Sequence, residues 1–372
     1  MMKEDISKIT NDEITTHNVL KLCDLLYMQL SHIKAKESIA FSDDEVQAIL
    51  AKEEKGAKAN YDAAIAKFLE TNNQIYPPKV KRFVVYWGYP GAGKSVMTEK
   101  VITRFANDED CLPFNIIDKD NHRDLFPNLF EHLKGEHIEE CERFAGVTID
   151  YVRKILDLSL QGGQRSVLSI GSMGAGTEFK DNALKATSYG YKPCAVYMAV
   201  NKDIAYLSNI YRSATLYDQI IFHNKQLYPR LVSSEYFGRV TKMLPKMIHN
   251  INQFQQDNAN DVDLLVLNRN NELLYDSRKP HLDNVHEVIE REEQRPLRMS
   301  EIVLIGKQLY QIGQNINYRA QNGIYPPTKN EVEAAKTAVI DIAQLIGENL
   351  GRPPKPNFIT NIPFGFASGL EK

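Results

Sequence analysis

Cysteine is scarce in this chain and poorly placed for metal chemistry. The four cysteines, Cys23, Cys111, Cys141 and Cys194, are scattered along 372 residues with no paired spacing. That pattern argues against a zinc module or a disulfide framework, and it predicts unpaired thiols in a reducing compartment. The nine histidines do not cluster either. No apolar run approaches the roughly 20 residues of a membrane span, so no membrane role is expected. No N-terminal stretch has the basic-then-apolar form of a signal peptide. A protein folded in a cytosol is expected, with export by a signal-independent secretion system still open. Neither sign of charge dominates: the net charge is −3 with acids and bases intermixed, which predicts no nucleic-acid or membrane partner. No internal repeat is visible.

What is present is an ordinary globular composition and one dense motif. Length fits one large domain or two smaller ones. The run Gly88-Tyr89-Pro90-Gly91-Ala92-Gly93-Lys94-Ser95 matches G-x-x-x-x-G-K-[ST] at every fixed position. Phe83 to Trp87 before it reads as a short buried strand, and Val96 to Phe105 after it as a helix with Val101, Ile102 and Phe105 on one stripe. The glycines let backbone N–H groups curl toward phosphate oxygens, and the helix N-terminus favours anions there. Residues 88–96, ending in Val96, are therefore the expected nucleotide cradle. Lys94 would reach the β- and γ-phosphates of ATP or GTP, and Ser95 would hold Mg²⁺.

The fold class expected is α/β: a P-loop NTPase or kinase-type parallel sheet flanked by helices, with helical additions at both termini. Three parts are expected, at 1–78, 79–278 and 279–372. In the first, Val19, Leu22, Cys23, Leu26, Leu30 and Ile33 recur at helical spacing. A second helix begins at the capping-box pattern Ser42 to Glu45 and runs through Ile49, Leu50, Tyr61, Ile65 and Phe68, with a break expected near Gly56. The two are expected to pair as a hairpin whose stripe covers the nucleotide domain. Tyr76-Pro77-Pro78 punctuates the chain. Strands are then expected at Phe114–Ile117, Ser166–Ile170, Ala195–Val200 and, as a late hairpin across Asn270-Asn271, at Val262–Leu267 and Leu273–Tyr275. A helix is expected at Ile149–Leu160. In the third part, Ile302, Ile305, Leu309 and Ile312 mark one helix; Thr328 to Glu331 caps another that Gly351 closes. The tail, Pro353 to Lys372, reads as a strap or a loose end.

A second constellation follows the second strand: Asp118-Lys119-Asp120-Asn121-His122-Arg123-Asp124-Leu125-Phe126-Pro127. In an open α/β sheet this strand end lies beside the phosphate loop. One carboxylate there could contact Mg²⁺ through water, and another could take the proton of an attacking hydroxyl.

The order G-x-P-G-A-G-K-S, then I-D-x-D-x-x-R-x-x-x-P, resembles the zeta-toxin family of phosphate-loop kinases. Later segments resemble it too: Gly190-Tyr191 with Ala195 to Val200, then Tyr206-Leu207 and Arg212, then Pro229-Arg230-Leu231 with Lys242 to Pro245, then Leu267-Asn268-Arg269 with Leu274 to Ser277. The resemblance implies a kinase that phosphorylates a nucleotide-containing small metabolite: a UDP-N-acetylglucosamine-like sugar nucleotide, or NAD in effector-type relatives. It implies Asp120 as general base, Lys94 as phosphate ligand, and Arg230 with Arg212 steadying the transferring phosphoryl. Asp118, Arg123, Gly171 and Ser172 fall on the acceptor side. It further implies a toxin or secreted effector, with an antitoxin or chaperone protein as partner. One departure stands out. The family has a glutamate near the end of the third strand, whereas Leu168 to Met173 carries no acid and the nearest is Glu178.

Three other readings compete. A regulatory GTPase would use Asn201-Lys202-Asp203, but the spacer of N-K-x-D is missing. A nucleotide-binding pseudokinase would put the function in the helical flanks, against the joint presence of Lys94 and Asp120. A polynucleotide 5′-hydroxyl kinase would need a basic groove. Only Lys225, Arg230, Arg239, Lys242 and Lys246 cluster, and Glu235 interrupts them.

Overall fold

The strand RFVVYW is buried at all six positions, as a strand covered on both faces by crossover helices must be. It is the central strand of the sheet. In a computed structural model of the chain, the described residues are 16–37, 42–72, 77–108, 110–118, 152–171, 177–223, 231–258, 261–280 and 283–351. In chain order the elements are α1 (Thr16–Ser31), α2 (Asp43–Asn72), β1 (Arg82–Trp87), α3 (Lys94–Asp108), β2 (Phe114–Asp118), α4 (152–162), β3 (Ser166–Gly171), α5 (Thr177–Ser188), β4 (Lys192–Ala199), α6 (Lys202–His223), α7 (Ser234–Asp257), β5 (Asp263–Asn268), β6 (Leu273–Asp276), α8 (Val285–Gln294), α9 (Met299–Asn322) and α10 (Lys329–Asn349). The sheet has six strands in the order β2-β3-β1-β4-β5-β6. All neighbours are parallel except β6, which returns antiparallel on β5. The chain leaves β1 toward one side of the sheet and crosses to the other at β4. The loop after β1 thus sits at the switch point, where α/β sheets bind ligands.

Among the described residues, strands and helices stand where the periodicity places them, apart from β4, α8 and the break expected in α2. β4 starts at Lys192, earlier than Ala195. Pro193 hides this, since proline reads as a strand stop, yet near a strand's start its missing N–H costs the ladder little. α8 has only Val285, Val288 and Ile289 buried, too short an apolar stripe to announce itself. Asn284 caps it by accepting from the Glu287 N–H.

The terminal helices correct one expectation. α1 does not pair with α2 as a hairpin, and its stripe does not cover the nucleotide domain. Val19, Leu22, Cys23, Leu26 and Leu30 are buried against α9 and α10. Gly313 of α9 is what lets α1 come so close: a Cβ there would lie 2.8 Å from Leu26 Cδ1. An apolar stripe specifies that it must be covered but not by what, and this fit of a glycine against a leucine is invisible until the helices meet. The chain after α1 is tied to the start of α10 by Lys36 N–H to the Pro327 carbonyl and Lys329 N–H to the Lys36 carbonyl, each 2.9 Å. α2 also runs unbroken through Gly56. Within α2, Ile49, Tyr61, Ala64 and Ile65 pack against a hydrophobic core that α1, the sheet, α6, α9 and α10 share.

Cys141, Tyr76, Lys225, the segment 119–127 and the tail Pro353–Lys372 lie outside the described residues.

Candidate nucleotide site

The phosphate loop is shaped by three glycines with left-handed backbone: Gly88 at φ 149°, Gly91 at 79° and Gly93 at 100°. Gly91 has a second reason. A Cβ there would lie 2.1 Å from the Ala205 carbonyl oxygen and 2.8 Å from the Asn209 nitrogen, so the loop leans directly on α6. The Ala92 N–H closes a turn on the Tyr89 carbonyl at 3.1 Å. Tyr89 and Pro90 are buried. The Tyr89 ring stacks on Phe237 of α7 at 5.7 Å, with Tyr206 of α6 against the same phenyl ring at 4.8 Å. The loop is thus pinned from behind by aromatic packing while α3 begins at Lys94. Val96, in the first turn of α3, is exposed, and its N–H meets the Gly93 carbonyl at 3.1 Å.

Lys94 Nζ donates to the carbonyls of Gly88 (3.0 Å) and Tyr89 (2.9 Å), arching over the loop. Ser95 Oγ lies 3.5 Å from Asp118 Oδ2, the buried last residue of β2. Strand register explains the meeting. Asp118 stands opposite Ile170 of β3, and Gly171 opposite Trp87 of β1, so the carboxyl ends of three strands line up beside the loop. An oxygen-only pair of hydroxyl and carboxylate suits Mg²⁺, which takes few protein ligands and keeps water and phosphate for the rest. Among the described residues no group of three or more His, Cys, Asp or Glu side chains forms a metal cage.

Arg212 lies one turn along α6 from Asn209, and its Nη2 meets Asn209 Oδ1 at 3.2 Å. Asn209 in turn donates to the Val232 carbonyl at 3.2 Å, linking α6 to the chain that leads into α7. Asp120, Arg123, Ser172 and Arg230 lie outside the described residues. Glu178, the acid nearest the end of β3 in sequence, is an exposed residue in the first turn of α5.

One further side chain, that of Arg269, reaches the loop. Arg269 follows β5, and its Nη2 donates to Ser208 Oγ (3.0 Å) and more weakly to the Gly91 carbonyl (3.5 Å). A Cβ on Gly93 would sit 3.7 Å from its Nε. Position right after a strand that borders β4 is the signal that could have found it. Asn201 answers the GTPase reading: its Oδ1 accepts from the Asp203 N–H at 2.9 Å and caps α6.

Two carboxyl groups, on α8 and α10, are shifted upward by burial. Glu293 of α8 accepts from Tyr197 Oη at 2.6 Å. Burial pushes its carboxyl up to about 7, opposed by that hydrogen bond. Asp341 of α10 is pushed up to about 6, by burial first and by Asp203 second.

A mostly parallel sheet in this strand order, with a glycine-rich loop and lysine between its central strand and the next helix, defines an α/β protein of the P-loop nucleotide-binding class. The chain belongs to the zeta toxin family, whose model matches residues 65–280. Its fold is the P-loop kinase fold of that family. Among solved structures it is similar to a chain of the PezAT chromosomal toxin–antitoxin system of Streptococcus pneumoniae, with 17% identity and a TM-score of 0.53, covering 73% of this chain and 98% of that one. It is also similar to a chain of the AvrRxo1-ORF1:-ORF2 complex, with 9% identity and a TM-score of 0.45, covering 82% of this chain and 96% of that one. No curated protein matches the sequence. No helix among the described residues is long and apolar enough to cross a membrane.

Proposed function

We propose that this chain is a kinase that moves the γ-phosphoryl group of ATP or GTP to a hydroxyl of a nucleotide-containing small metabolite. The acceptor is a sugar nucleotide of the UDP-N-acetylglucosamine kind, or NAD. The observation that carries this reading is the meeting of Ser95, next to Lys94 at the start of α3, with Asp118 at the end of β2.

Lys94 holds the β- and γ-phosphates while loop N–H groups cradle them. Ser95 and Asp118 would hold Mg²⁺, which when bound supplies neutralising charge to the phosphate oxygens. Asp120, two residues beyond β2, orients the acceptor hydroxyl and takes its proton. The hydroxyl oxygen bonds to the γ-phosphorus as the bond to the β–γ bridging oxygen breaks, and the nucleoside diphosphate leaves. Arg212 and Arg230 steady the charge on the transferring group, a task for a planar, permanently charged fork. Arg123, Gly171 and Ser172 border the acceptor. Exclusion of water matters because water is the rival acceptor.

Membership of the zeta toxin family supports a toxin or effector role, and the likeness to a toxin–antitoxin protein supports a protein inhibitor of antitoxin type as partner. The test is incubation with Mg²⁺, γ-labelled ATP and a panel of UDP-N-acetylglucosamine, NAD, nucleosides and a 5′-hydroxyl oligonucleotide. Label should move to one small metabolite. Lys94→Ala and Asp120→Ala should each lower transfer at least about a hundredfold with unchanged thermal melting. A folded Asp120→Ala protein at full rate overturns the base assignment; label entering the oligonucleotide overturns the acceptor class.

A further inference from the structure

Two histidines that lie far apart in sequence meet where α7 packs on α8. His249 stands on α7 and His286 on α8, with their ring centres 6.2 Å apart and the ring planes inclined by 35°. The backbone under both is fixed. Ile248 and Val285, their neighbours in sequence, are buried. Asn284 caps α8 beside the pair by accepting from the Glu287 N–H at 3.0 Å. His249 is exposed and His286 half-buried, so the pair is reached from solvent on the His249 side.

Among the described residues neither ring makes a hydrogen bond or an ion pair. The acids near them are engaged elsewhere: Asp283 holds Arg291 at 2.7 Å, and Glu290 accepts from Gln294 at 3.1 Å. Burial first, and the charge of His249 second, lower the pKa of His286, which keeps its ring neutral. A neutral imidazole with an uncommitted lone pair is a metal ligand. The spacing fits one ion. Zn–N bonds of about 2.0–2.1 Å put each ring centre about 3.2 Å from a shared ion, so two rings on it stand from about 5.2 Å apart at a tetrahedral angle to about 6.4 Å apart in line. The observed 6.2 Å lies inside that range. A tetrahedral angle needs the rings about 1 Å closer, which the exposed His249 side chain can supply through its own torsions.

We propose that His249 and His286 form a surface site for a divalent transition metal of the zinc class, with water in the remaining positions. Imidazole nitrogen suits Zn²⁺, and two waters complete a tetrahedron around it. The site is separate from the Ser95–Asp118 pair, whose oxygens suit Mg²⁺, and it does not depend on the kinase reading. A bound ion joins α7, whose Phe237 stacks on Tyr89 of the phosphate loop, to the first turn of α8. With two protein ligands it is an exchangeable clamp, unlike a closed structural centre of four.

The experiment titrates the full chain with ZnCl₂ in a neutral, non-chelating buffer and follows heat, thermal melting and the proton NMR signals of the imidazoles. His249→Ala, His286→Gln and the double variant are titrated alongside, and melting without zinc is their folding check. Wild type should bind one Zn²⁺ at this site, the Cε1–H signals of both histidines shifting over the same range of zinc. Each single variant should bind that ion at least about tenfold more weakly, since even groups that only orient a metal's ligands are worth that much. Zinc should raise the melting temperature of wild type and not of the double variant. Mg²⁺ should shift neither imidazole. Equal zinc affinity in wild type and the double variant puts the ion elsewhere and overturns the inference. So does a shift of one imidazole without the other. Binding to wild type only above about 1 mM zinc marks an adventitious ion only, and overturns it as well.

Discussion

At the scale of single residues, the loop is specified by steric necessity. Gly91 combines a left-handed φ with a Cβ position already taken by the Ala205 carbonyl, so its identity is fixed twice over. Glu293 is the opposite case, a polar residue whose chemistry is set by its surroundings. Burial raises its carboxyl from 4.5 to about 7, so the folded chain keeps a proton there that the unfolded chain releases. Its contribution to stability is therefore complete below about 4.5, falls as pH rises through the window, and is gone above about 7. The full span corresponds to at most on the order of 3 kcal/mol. Glu293→Gln stays neutral and still offers Tyr197 an acceptor. Urea unfolding at pH 5 to 8 should show a flatter profile for the variant, gaining on wild type toward pH 8. Parallel profiles would mean the carboxyl ionises freely in the folded protein.

At the scale of elements, the three helices α6, α9 and α10 are joined at one point. Arg319 of α9 and Glu331 of α10 form a bidentate pair at 2.5 and 2.9 Å, both nearly inaccessible to solvent. The guanidinium lies 3.5 Å from the ring centre of Tyr217 on α6, and its Nε donates to the Tyr325 carbonyl at 2.8 Å. Thr328 caps α10 by accepting from the Glu331 N–H. Removing one partner leaves the other charge buried and uncompensated, which costs about 3–5 kcal/mol. Arg319→Met or Glu331→Leu alone should lose about that much in denaturant unfolding. The double variant should recover most of it, because an apolar pair of similar volume fills the site without a stranded charge. A double variant as unstable as either single one would mean that the pair supplies net stability.

At the scale of the whole molecule, the helices after β6 complete a core that α1, α6 and the sheet share. α6 lies between them: it packs on α9 and α10 and its Ala205 supports Gly91. Deleting residues 279–372 should uncover the α1 stripe and the Ala214 and Tyr217 side of α6. The shortened chain should lose cooperative melting and bind an apolar dye. If it melts cooperatively at the temperature of the full chain, those helices are an accessory rather than part of the folding unit.

Much of this was legible from local pattern. The loop spelling, the alternation of strand and helix, the hairpin at Asn270-Asn271 and the caps at Ser42 and Thr328 rest on interactions within a few residues, and such interactions are written in spacing. The sequence by itself determined that a phosphate loop follows a buried strand, and that Asp118 ends the strand after it. Three things waited for the tertiary structure. α1 joins α9 and α10 instead of α2, because close approach at Gly313 depends on two surfaces fitting. That Asp118 lies near the loop was expected from its place at a strand end, but that its Oδ2 comes within 3.5 Å of Ser95 Oγ is set by strand order and register, which no single segment encodes. Arg269 reaches the loop from 178 residues away, and its neighbours there come from α6 and the loop. Local chemistry reads directly from the chain, whereas the partners of a surface are chosen only when the chain closes on itself.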